Sequence, residues 1–83
     1  MDRTIERALD VRGSFTSIGL LKASSAFQKL KPGESLVILS DDQMLHQDIF
    51  RILDPRRIER TFCEQDEGFY RLTITKHTEQ PME

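Results

Sequence analysis

A chain of 83 residues has room for one hydrophobic core, and 37% hydrophobic with 31% charged residues of both signs mark it as a folding chain, not a disordered one. A formal net charge of -2 offers no general basic field for phosphate backbones, and no apolar run reaches the roughly 20 residues that span a bilayer. Met1–Glu6 lacks the apolar core of a signal peptide, so the cytoplasm is the expected compartment.

The first predicted element is a strand over Arg7–Val11, alternating and halted by Arg12-Gly13. From Ile18 to Lys31, Leu20, Ala23, Phe27 and Leu30 recur at spacings of three and four, with Leu21 widening the stripe, which predicts a helix ending before Pro32-Gly33. Thr16 and Ser17 stand where capping hydroxyls belong. Glu34–Ser40 carries the run Leu36-Val37-Ile38-Leu39, too short for a typical helix and suited to a buried strand.

Asp41 and Asp42 offer caps for a second helix over Gln43–Leu53, whose Leu45, Ile49, Ile52 and Leu53 share a face. After Asp54-Pro55, the β-prone segments Ile58–Glu64 and Phe69–Lys76 flank Gln65–Gly68, a hairpin signature. The order βαβαββ predicts an α/β fold: a two-layer sandwich with two helices on one face of a mixed four-stranded sheet. It is expected as one domain over 1–83, ordered from about 7 to 76, with loose ends at Met1–Glu6 and His77–Glu83.

Chemistry-bearing residues are few. Cys63 is the single cysteine, which excludes an internal disulfide and a Cys-rich zinc site. His46 and His77 are far apart and read as solvated, so no metal or cofactor is expected. Cys63 falls on the third strand, away from any helix start that would stabilise a thiolate, and reads as a passive thiol facing solvent. Arg51, Arg56, Arg57 and Arg60 could meet nucleic acid, but Asp48, Asp54 and Glu59 balance them and no aromatic residues interleave for stacking. Asp41 and Asp42 have no accompanying base or metal ligand and read as caps.

Three stretches, Leu9-Asp-Val-Arg-Gly13, Leu20-Leu-Lys with Leu30-Lys-Pro-Gly-Glu34, and Ser40-Asp-Asp42 followed by Asp48-Ile49, together resemble the TusA/SirA sulfur-carrier family over about Leu9–Lys76. The resemblance implies the same two-layer sandwich. It also implies a Cys-Pro-x-Pro motif at the start of helix one, where the cysteine carries sulfur as a persulfide to a protein partner. Here that stretch is Thr16-Ser17-Ile18-Gly19, and a hydroxyl cannot form a persulfide.

The expectation is therefore a non-catalytic protein-binding or regulatory module related to sulfur-relay carriers, with a partner from a sulfur-transfer pathway. The alternatives are sulfur carriage through Cys63 or a partner's cysteine, and nucleic-acid binding through the arginine cluster. The candidate binding residues are Arg12, Ser14, Thr16, Ser17 and Gly19. The hydroxyls and free first-turn amides suit an oxyanion, and Arg12, where the family carries an arginine beside its cysteine, is left to structural or anion-binding work. Gly19 softens the first turn by about 1 kcal/mol relative to Ala.

Overall fold

Ser35–Ser40 alternates Leu36 and Ile38 with Val37 and Leu39, so it presents apolar side chains to both faces, which only an interior strand can bury. The computed structural model, which describes residues 6–78, places it there. The elements are β1 (Glu6–Asp10), α1 (Thr16–Gln28), β2 (Ser35–Ser40), α2 (Gln43–Ile52), a single 3-10 turn (Pro55–Arg57), β3 (Ile58–Asp66) and β4 (Phe69–Lys76). The sheet order is β1-β2-β4-β3. β1 runs parallel to β2, while β4 is antiparallel to both β2 and β3, so the sheet is mixed as expected.

Register decides which side chains meet the helices. Leu9, Ile38, Leu72 and Cys63 lie in one row across the four strands, and the neighbouring row runs through Leu36, Ile74 and Thr61. Leu36, Ile38, Leu72 and Ile74 are buried against Ala23 and Phe27 of α1 and Leu45 and Ile49 of α2, with Val11, Leu30 and Leu53 closing the core. β3 is an edge strand with no fully buried residue.

The helical stripes are narrower than periodicity suggested. Leu21 is 72% exposed and Ile52 50% exposed, each off the buried line of its helix. In α1 that line is Gly19, Ala23 and Phe27, a spacing of four. Gly19 is there for closeness: a Cβ on it would lie 2.8 Å from Leu45 Cδ1, so the missing side chain is what lets the helices approach. Gly19→Ala gains about 1 kcal/mol of helix propensity but overpacks a full core at about 1–3 kcal/mol. A net loss of about 1 kcal/mol is expected in urea unfolding.

The chain ends are tied in further than expected. Glu6 pairs with Ser35, the His77 amide donates to Arg57 O at 2.8 Å, the Thr78 amide donates to Glu59 Oε1 at 3.2 Å, and positions 1–5 and 79–83 lie outside the described residues. β3 continues two residues beyond the expected limit, because Asp66 pairs with Phe69 across a two-residue turn, Glu67-Gly68. Gly68 has φ 80°, a value that glycine adopts without steric cost.

At the far end of α1, Lys76 is buried. Its Nζ donates to Leu30 O at 2.8 Å and to Phe27 O and Gln28 O at 3.3 Å each, and it lies 5.3 Å from the centre of the Phe27 ring. An ammonium from β4 thus satisfies carbonyls that the helix end leaves free.

Candidate functional site

The loops β1–α1 and β2–α2 meet where both helices begin. Asp42 caps α2 by accepting from the Met44 amide at 2.9 Å, and its own amide donates to Ser40 Oγ at 2.9 Å. Asp41 Oδ2 accepts from the Gly13 amide at 3.1 Å. The aspartate pair, expected as caps, divides the work: one residue caps α2 and the other pins the β1–α1 loop.

The expected cap of α1 is corrected. Phe15 is the N-cap and no side chain bonds to the first-turn amides. Thr16 is already helical, and its hydroxyl donates instead across the gap to Asp42 Oδ2. The Thr16 hydroxyl and the Met44 amide together hold the Asp42 carboxyl below the ordinary aspartate range, because both favour its ionised form. Thr16 therefore ties α1 to α2, a role invisible to a local reading because its partner lies 26 residues away.

The other candidate residues do not converge on a ligand. Arg12 grips Asp10 through Nε at 2.9 Å and Nη2 at 2.8 Å and lies 4.9 Å over the Phe69 ring; this bidentate pair holds Asp10 down to about 2. Ser14 is half-buried with its amide on Val11 O, Ser17 is exposed, and Gly19 is spent on helix packing. An oxyanion here would meet the carboxylates of Asp41 and Asp42, which already occupy the Gly13 amide and the Thr16 hydroxyl. Like charge at that point works against the anion cradle that residue types alone suggested.

Exposed apolar residues flank the two helix starts. Phe15 is 79% exposed, and Ile18 and Met44 are exposed beside the same two helix starts. Sequence reasoning passed over all three, since each sits off the buried line of its helix. Single exposed apolar residues are ordinary, and these three share only their place on the first turns of α1 and α2 or just before them.

The arginines are dispersed. Arg51 reaches Asp48 at 3.8 Å, Arg56 and Arg57 reach Asp54 at 3.2 and 4.0 Å, and Arg60 stands on β3. Among the described residues no helix is long and apolar enough to cross a membrane, and no three His, Cys, Asp or Glu side chains gather as metal ligands.

Cys63 and His46 also need correction. Cys63 is exposed, but its row mates Leu72 and Ile38 are buried under the helices, so its side chain stands on the helix-bearing face. There its Sγ lies 3.1 Å from His46 Nδ1, one turn beyond Asp42 on α2. His46 is half-buried, not solvated, and meets the edge of the Tyr70 ring at 5.1 Å. Desolvation lowers its pKa, partly opposed by the Asp42 charge.

Comparison with protein families matches residues 7–76 to the model of the sulfurtransferase TusA. The chain belongs to the TusA family. This family works in sulfur relay with protein partners, and the match spans every helix and all but the first residue of the sheet. Among solved structures, the crystal structure of a SirA-like protein from Desulfitobacterium hafniense is similar at TM-score 0.68 and 21% identity, covering 82% of this chain and 93% of the other. That similarity supports the fold. Comparison with curated proteins gives no match.

Proposed function

We propose that this TusA-family chain is a partner-docking module of a sulfur relay, working through the helix-start surface and not carrying sulfur at Thr16. The observation that carries the reading is Thr16 itself. At the point where the family resemblance implies a thiol, a hydroxyl is committed to Asp42, and Phe15, Ile18 and Met44 stand exposed at the same two helix starts. A hydrogen-bonded threonine there fixes the two helices, and the exposed Phe15, Ile18 and Met44 provide apolar area that a protein partner would bury. The compartment expected for such a relay is the cytoplasm.

The partner that suits the surface is a sulfur-transfer enzyme bearing a persulfide cysteine. A photo-crosslinking residue at Phe15 in the full chain should capture such an enzyme in cells, and the adduct should disappear when Ile18 and Met44 are both changed to Ser. Capture of no sulfur-transfer enzyme, or equal capture from a crosslinker at Glu67 on the hairpin turn, would count against this reading.

A further inference from the structure

The structure holds a second feature at the N-terminal half of α2, distinct from the Thr16 position: a thiol and an imidazole in hydrogen-bond contact. We propose that Cys63 and His46 form a sulfur-accepting pair that takes sulfane sulfur from a persulfide. This inference is independent of the docking surface, because it concerns what Cys63 does with a donor of any size.

The geometry has the parts that a thiol nucleophile needs. Cys63 Sγ lies 3.1 Å from His46 Nδ1, a contact made across 17 residues by the packing of α2 on the sheet. With the imidazole neutral, Nδ1 accepts from the thiol and the ring proton sits on Nε2, which is buried and has no protein partner. The ring is held in place by the edge-to-face contact with Tyr70, at an interplanar angle of 74°. Burial works against a positive charge on His46, and Asp42, one helical turn away, partly offsets that. The thiol is on an edge strand and exposed, so a donor can approach.

The step balances without an outside oxidant. His46 Nδ1 takes the proton of Cys63, and the thiolate attacks the terminal sulfur of a persulfide R–S–S–H. A new S–S bond forms at Cys63 as the donor's S–S bond breaks. The leaving R–S⁻ takes away the bonding pair and receives the proton from His46. The products are the Cys63 persulfide and R–S–H, so one sulfur atom has moved and no net electrons have been exchanged. A persulfide is the matching electrophile because a thiolate exchanges with divalent sulfur by attack on an S–S bond.

The test is intact-mass measurement of the full chain after incubation with glutathione persulfide. The expected result is a gain of one sulfur atom, none in Cys63→Ser, and loading slowed about tenfold in His46→Gln, which lacks the imidazole nitrogen 3.1 Å from the thiol that would take its proton. A wild-type chain that gains no sulfur, a gain that survives Cys63→Ser, or a folded His46→Gln chain that loads at the wild-type rate would overturn the proposal. Should His46→Gln fail to fold, the wild-type chain alone decides. Because Cys63 is the single cysteine, iodoacetamide should alkylate the native chain faster than the urea-unfolded one, and an equal or slower native rate overturns the pair. Loading from this small donor requires no protein partner, so it can fail while docking succeeds, and the reverse.

Discussion

Phe27→Ala should lower the unfolding free energy by about 3–5 kcal/mol, the range for deleting a buried aromatic ring. The side chain is 2% exposed, in the last turn of α1, packed within the cluster that also holds Leu30, Leu53 and Ile74. Two losses coincide there. A cavity opens in the core, and Lys76, whose ammonium sits 5.3 Å from the ring centre while bonding three carbonyls of the α1 end, loses one wall of its site. Against the roughly 5–15 kcal/mol of a whole domain this is a large fraction, and at this size it corresponds to about 15 °C or more in melting temperature. Phe27→Leu keeps most of the volume and should cost about 1 kcal/mol. Urea unfolding of both variants checks the pair, and similar midpoints for Ala and Leu would show that the ring is not what fills this corner.

Asp42→Ala should cost about 2–3 kcal/mol, made up of a lost helix cap at about 1 kcal/mol and a hydrogen bond to a charged acceptor at about 1.5–3 kcal/mol, less relaxation at a half-exposed site. Both bonds end on one carboxylate: Met44 N on Oδ1 and the Thr16 hydroxyl on Oδ2. Thr16→Val should therefore lose only the second part, and the two substitutions should be non-additive in a double-mutant cycle.

The pH dependence has a definite sign. The folded-state pKa of Asp42 is depressed by those bonds, so its contribution is fully present above the ordinary aspartate value of about 3.9. It is lost as pH falls from there through the folded value, because the unfolded chain binds the proton first. Asp10 and Asp54, depressed by Arg12 and Arg56, add to the same acid loss. Asp42→Asn keeps an acceptor and a capping side chain but does not titrate, so its stability should fall less steeply below about pH 4 than that of the wild type. Parallel slopes for the two proteins would remove Asp42 from the acid response.

The order of elements was legible because each has its own local physics. The short run Leu36–Leu39 is too apolar for an edge and too brief for a helix, Pro32-Gly33 and Asp54-Pro55 stop the helices, and Gln65–Gly68 signals a hairpin, which the structure closes at Glu67-Gly68. The family, too, was legible, because the Leu9–Gly13, Leu30–Glu34 and Ser40–Asp42 stretches are local patterns at turns and caps. That Thr16, and no cysteine, follows the Arg12-Gly13 turn is likewise read directly from the sequence.

Only tertiary packing decided what those residues touch. Thr16 reads as a cap, yet a carboxylate 26 residues away takes its hydroxyl. Gly19 reads as a soft spot, yet Leu45 requires its bareness. His46 reads as solvated and Cys63, separately, as a passive thiol, yet strand register turns Cys63 to the helix-bearing face and α2 sets the imidazole 3.1 Å away. The physical reason is the same in each case: periodicity and propensity act over a few residues, whereas a hydrogen bond or a close approach between elements depends on register and interhelix distance, which exist only once the core has closed.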